Sequence, residues 1–194
     1  RYWNKRKAYY QTIADHQGIK GGKTKRICAL TVKRNNQVKD TIRKASRYIV
    51  NYCISHDIGT LVVGYNEGFK RNVNLGKQNN QNFVQLPLGD LRQSLQYLCE
   101  RYGIQYIEQE ESYTSKSSYL DNDALPVYKA EQPYAGAFKG KRICRGLYKS
   151  ANGTTINADV NGAANILRKA KVNGYPYGLP DSGCLAHPLR ISFP

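Results

Sequence analysis

Apolar and small positions recur at helical spacing in several stretches of this chain and run together in two short ones. Arg1 to Gln17 reads as a basic helix, broken by Gly18, Gly21 and Gly22. Lys23 to Asp57 reads as one long helix, which Asn35 and Asn36 bend or split; Ile42, Ala45, Ile49 and Cys53 form the apolar stripe of its second half. Gly59 is the expected closing residue. Thr60-Leu61-Val62-Val63-Gly64 then has the continuous apolar character of a short buried strand. Leu88 to Tyr102 carries Leu88, Leu91, Leu95 and Leu98 on one helical face, Gly103 ends it, and Ile104 to Ile107 reads as the next strand. Helix, glycine and strand thus follow one another twice, the rhythm of an α/β fold with a parallel sheet and crossover helices.

Beyond Ser112 the pattern weakens. Arg142 to Tyr148 and Thr154 to Asn157 flank Ala151-Asn152-Gly153, which predicts a hairpin. A last helix is expected over Val160 to Ala170, with Val160, Ala163, Ala164 and Leu167 facing inward. From Asn173 onward the chain is rich in proline and glycine and shows no periodicity. These breaks divide the chain into a basic helical segment (1–58), an α/β core (59–170) with an insert at about 112–157, and a Pro/Gly-rich tail (171–194).

Charge narrows the function. Lys and Arg number 30 against 14 Asp and Glu, a net charge of +16, and such an excess points to a polyanionic partner, with DNA or RNA first. Arg43, Lys44 and Arg47 lie off the apolar stripe of the long helix, as a phosphate-tracking face or a solvated one. Lys70, Lys116 and Arg145 are further candidates for nucleic-acid contact. The 16 tyrosines add rings able to stack on unpaired bases, although most are expected in the core. No run approaches the ~18 apolar residues of a membrane span. The five cysteines are odd in number and form no CxxC pair, which disfavours a disulfide scaffold or a structural zinc site. His16, His56 and His187 stand isolated. The chain begins at Arg1 and contains no methionine, so it reads as a piece of a longer intracellular protein.

Acids are scarce enough to inspect one by one. Glu110 and Glu111 follow the second strand and Glu67 the first, at the carboxyl ends where α/β sheets build their sites. Asp159 opens the last helix, where it serves either as N-cap or as a ligand. Carboxylates converging there would attract divalent metal ions able to activate water against a phosphodiester.

Leu61-Val-Val-Gly-Tyr-Asn66, Asn79-Asn-Gln-Asn-Phe83, Glu110-Glu-Ser-Tyr-Thr-Ser-Lys116, Arg145-Gly-Leu-Tyr148 and Ile156-Asn-Ala-Asp-Val-Asn-Gly-Ala-Ala-Asn-Ile-Leu167 occur in that order. Together they resemble the TnpB/OrfB proteins of bacterial and archaeal insertion sequences, described as transposases and related to the type V CRISPR nucleases. The resemblance implies an RNase H-like (RuvC-type) nuclease core, incomplete here at its N-terminal side, with long N-terminal helices. It also implies an RNA-guided DNA endonuclease using Mg²⁺ or Mn²⁺, with DNA, a guide RNA from the same element and the missing N-terminal part as partners, in a prokaryotic cytoplasm at the nucleoid. The family's third acid falls on Asp159. Its second falls on Gly64, a departure that Glu111 or Glu110 would make good from the neighbouring strand, with Glu67 a weaker substitute. The first acid would precede Arg1. The family's zinc-binding pairs fall at Ser118 and Asp121 and at Cys144 and Leu147, so no zinc is expected. One rival is a catalytically inactive nucleic-acid-binding fragment or decayed copy of such a protein; another is an unrelated RNA-binding protein, suggested by charge and tyrosines alone.

Overall fold

The computed structural model describes residues 2–19, 21, 24–66, 87–129, 131–172 and 191–192. The Asn79–Phe83 motif, Glu67, Lys70, His187 and nearly all of the tail lie outside them. The chain divides into two compact units.

The first unit is helical. Helix α1 spans Tyr2–His16 and buries only Ala14. Helix α2 spans Lys25–Ser55, capped by the Thr24 hydroxyl, which accepts from Ile27 N at 3.3 Å. At 31 residues it is about 46 Å long, and it runs through Asn35 and Asn36 without a break. Helix α3, Leu88–Arg101, packs against it. The buried line in the second half of α2 is Ser46, Val50 and Cys53, which keeps Cys53 of the expected stripe but shifts by one residue before it and leaves Ile42, Ala45 and Ile49 half-buried. Ser46 explains the shift. Its Oγ lies 2.7 Å from Ser94 Oγ and donates back to Ile42 O at 2.8 Å, so two small hydroxyls satisfy each other at the helix contact. Leu95, Leu98 and Cys99 face this contact, while Leu88 is exposed. Burial pushes up the Cys53 and Cys99 thiols, which act as small apolar side chains. The left-handed residue after α2 is Asp57 (φ 52°) and not Gly59; Gly59 O instead accepts from Gln105 N at 2.8 Å.

The second unit contains a parallel pair, β1 (Thr60–Tyr65) and β2 (Gln105–Glu110), and an antiparallel sheet of β3 (Lys141–Cys144), β4 (Leu147–Lys149) and β5 (Thr155–Asn157). The segment expected as one strand from Arg142 to Tyr148 is two, because Arg145 and Gly146 (φ 83°) turn the chain between them. Helix α4, Ala158–Ala170, packs on β1 and β2. Together these elements form the RNase H-like mixed α/β fold, accompanied by long N-terminal helices.

Of the residues expected inward on α4, Ala164 is buried and Val160 and Leu167 are half-buried, but the largest buried side chains of the helix are polar. Asn161 and Asn165 are fully buried beside Ala158, Gly162 and Ala164, whereas Ala163 is exposed. Asn161 Oδ1 accepts from Tyr119 N at 3.0 Å and its Nδ2 donates to Ser117 O at 2.8 Å. Asn165 Nδ2 donates to Thr114 O at 2.9 Å and Ser117 O at 2.7 Å. A loop without ladder partners thus has its buried backbone satisfied by one helix. Tyr148, buried with Ile156 and Ala158, adds a bond from its hydroxyl to Lys116 O at 2.8 Å. Burial, with Asp123 and Asp121 nearby, pushes that phenol up to about 12.

Asn161→Ala strands the Tyr119 amide without an acceptor. We expect a loss of about 2–3 kcal/mol in urea unfolding and faster hydrogen exchange at Tyr119. A loss below about 0.5 kcal/mol, the level of an ordinary surface change, would remove this role.

Candidate active site

The paired strand ends create the site. In the parallel register Gly64 faces Gln109 and Tyr65 faces Glu110, and Glu111 is the first residue past β2. Its N–H donates to Asn66 Oδ1 at 3.2 Å, which ties the two ends together. The Glu111 side chain lies over Gly64: a Cβ there would collide with Glu111 Oε2 and stand 2.7 Å from Ile166 Cδ1 of α4. Gly64 is therefore where one strand makes room for the carboxylate of the next. Burial, and secondarily the charge of Glu110, pushes the Glu111 carboxyl above the usual carboxylate range.

Glu110 has the opposite environment. Burial works to raise its carboxyl, but the Lys169 ammonium and the Ser112 amide, which donates to Glu110 Oε1 at 2.6 Å, outweigh it and hold the group below its ordinary value. Lys169, only 9% exposed, pairs with Glu110 Oε2 and donates to Ser112 O at 3.2 Å and Pro126 O at 3.1 Å. Nothing in the periodicity of the last helix marks this lysine.

Asp159 does not cap α4. Asn157 does, its Oδ1 accepting from Asp159 N at 2.8 Å and Val160 N at 3.1 Å. The Asp159 carboxylate, in the first turn, caps nothing and stands 90% exposed and 3.8 Å from Arg142. Among the described residues, no group of three or more His, Cys, Asp or Glu is arranged to hold a metal ion.

The basic candidates are dispersed. Arg43 is exposed on α2, Lys44 pairs with Asp40 at 3.0 Å, and Arg47 donates to Tyr102 Oη at 2.6 Å with its guanidinium over that ring. In the other unit, Lys116 is exposed after β2 and Arg145 is exposed in the β3–β4 turn.

At the positions on which the resemblance puts the first zinc-binding pair, Ser118 Oγ donates to Asp121 Oδ2 at 2.5 Å, and Asp121 Oδ2 also accepts from Ala151 N at 2.9 Å. Asp123 Oδ2 accepts from Ser118 N at 2.8 Å and Lys139 N at 3.1 Å. Two carboxylates thus cross-link the insert. Cys144 is an exposed free thiol.

The Glu110–Lys169 pair sets a pH dependence. A depressed carboxyl contributes stability above its ordinary 4.5, and that contribution is lost as pH falls through the lower folded value. Lys169→Met removes it. The gap in urea stability between wild type and variant should be open at pH 7 and close below about pH 4; a gap constant with pH would show that the pairing contributes nothing.

A family model described as "Cas12f1-like, TNB domain" matches residues 89–166, and one described as "Probable transposase" matches residues 1–70. No curated protein matches. The chain is similar in fold to the protein of the "Cryo-EM structure of the Cas12f1-sgRNA-target DNA complex", at 20% identity and a TM-score of 0.55, over 85% of this chain and 40% of that one. The chain therefore spans less than half of that relative's length. Matched in order through its N-terminal helices and from α3 into α4, the chain is similar to the TnpB/Cas12f-type, transposon-encoded proteins and shares their RuvC-like, RNase H-like fold.

Proposed function

We propose that residues 59–170 act as a metal-dependent DNA endonuclease domain working with a guide RNA, with the basic helices of 1–58 holding nucleic acid and the whole acting at the nucleoid. The observation that carries this reading is the Glu111 carboxylate lying over Gly64, the position that matches the family's second acid. That the Cas12f1 relative was solved with sgRNA and target DNA supports the two partners.

Glu111 and Asp159 offer hard carboxylate oxygens, which suit Mg²⁺ or Mn²⁺, and would hold the ion with a further acid from outside the described residues. When bound, such an ion activates water and stabilises the leaving oxygen of a phosphodiester. Lys169 engages Glu110 and so leaves Glu111 as the available member of the pair. Lys70, Lys116 and Arg145, and on the helices Arg43, Lys44 and Arg47, would neutralise phosphates. A binding-only reading is favoured by Gly64 itself, which is no acid, and by the pairing of Asp159 with Arg142.

The test is cleavage of labelled DNA by the chain with RNA from its own locus and Mg²⁺ or Mn²⁺. Glu111→Gln and Asp159→Asn should each lower the rate by at least about 100-fold, beyond the effect of an outer-shell change. Gly64→Glu combined with Glu111→Ala should restore cleavage by returning the acid to the first strand. Cleavage indifferent to Asp159 and Glu111 would reject the site. Salt-sensitive binding without cleavage would favour the binding-only reading.

A further inference from the structure

Beside Glu111, the second unit has an open cleft of about 620 Å³, lined among others by Tyr113, Tyr128, Tyr134 and Lys116. Three tyrosine rings stand in its wall. The Tyr113 ring centre lies 6.4 Å from that of Tyr128, 5.9 Å from Tyr134 and 6.1 Å from Phe138, and Tyr134 and Phe138 are 5.4 Å apart. A ring cluster built only for stability would be buried, yet Tyr128 is 58% exposed and Tyr134 36%.

The arrangement is held in place by its surroundings. Tyr113 has a left-handed backbone (φ 63°), a conformation that costs a bulky residue about 1–3 kcal/mol. Its neighbours sustain it: Ser117 N donates to Tyr113 O at 2.9 Å, and Tyr134 N donates to the Tyr113 hydroxyl at 3.2 Å. Gly136 allows the Tyr134 ring to fold back, since a Cβ at 136 would collide with the Tyr134 phenol. Lys116 Nζ stands 6.0 Å from the Tyr113 ring centre, where it adds positive charge at the rim.

We propose that this cleft is a stacking subsite for an unpaired nucleobase of the DNA strand to be cut, with Tyr128 and Tyr134 as the platform and Lys116 on the adjoining phosphate. Exposed rings beside a cation suit a flat, electron-rich base on an anionic backbone, and the chain's charge of +16 draws in polyanions. A base in a duplex presents no free face, so the subsite selects single strands. It places an unpaired nucleotide beside Glu111, and in this respect it rests on the nuclease reading above.

Binding is measured without divalent metal, so that the result stands apart from cleavage. The full chain is titrated into a fluorescein-labelled oligo-dT of about ten nucleotides, a typical footprint for stacking proteins, and into the same oligonucleotide carrying one 2-aminopurine. Tyr128→Ala should weaken single-strand binding about 5- to 100-fold, relieve the 2-aminopurine quenching, and leave both duplex affinity and salt slope unchanged. Gly136→Ala, which displaces the Tyr134 ring without deleting it, should act in the same direction. Lys116→Ala should instead lower the salt slope by about one. Unchanged single-strand affinity and quenching in Tyr128→Ala would overturn the proposal, even where cleavage depends on Glu111. Tighter binding of oligo-U than of oligo-dT would overturn the assignment to the cut DNA strand. Ring-dependent stacking in a chain that never cleaves would keep the subsite while the nuclease reading fell.

Discussion

The second unit depends on two buried amides. Asn161 and Asn165 lie one turn apart on α4, and their side chains supply the hydrogen bonds that the backbone from Thr114 to Tyr119 cannot obtain from a sheet. An unmet backbone group in that position would cost about 1–3 kcal/mol, so the loop takes the path along which the amides can reach it. That path begins at Glu111 and leads through Tyr113 and Lys116. The loop's place against α4 therefore sets where the carboxylate leaves β2 and where the aromatic wall stands. The arrangement accepts a cost, since Asn165 Oδ1 is buried with no hydrogen-bond partner among the described residues.

The insert is cross-linked by side chains bonding to one another and to backbone amides. Ser118 and Asp121 occupy positions that the resemblance aligns with cysteines, and they bond to each other and to the Ala151 amide of the hairpin. Asp123 ties Ser118 to Lys139 in the same way. Each such bond to a carboxylate contributes about 1.5–3 kcal/mol, so several are needed where a tetrahedral ion would hold four ligands at once. The buried Tyr148, bonded to Lys116 O, couples this cross-linked region to the loop that carries the site.

Element positions were legible in the sequence because they follow from period and punctuation. The runs at Thr60–Gly64 and Ile104–Ile107 and the glycine at 103 needed no tertiary knowledge. Which face of a helix is buried was less legible. On α2 the contact is a hydroxyl pair, and on α4 it is amide to backbone, so an apolar count selected Ile42 and Ala163 over Ser46 and Asn161. The cap of α4 was misread for a related reason: Asp159 and Asn157 are both good capping residues, and only the geometry shows which oxygen meets the first-turn amides. Lys169 is invisible locally because its partner is 59 residues away. That the Glu111 side chain lies over Gly64 was legible only in outline, from a glycine ending one strand and an acid ending the next.

The adjacent carboxylates Glu110 and Glu111 indicate what the proposed relocation of an acid to β2 would require. Two half-buried acids side by side disfavour one another's charge, and a strand end offering both would bind a cation poorly defined in position. Lys169 resolves this by engaging one of them. Glu110 is held ionised and occupied, while Glu111, raised by burial and by the charge beside it, is the member that gains most from a cation. Paired groups driven in opposite directions by their surroundings take different roles. Moving an acid from β1 to β2 thus takes more than the carboxylate itself. It needs a glycine on the vacated strand, so that the new side chain can lie across it, and a lysine on the covering helix, so that its neighbour does not compete. Gly64 and Lys169 meet these two conditions.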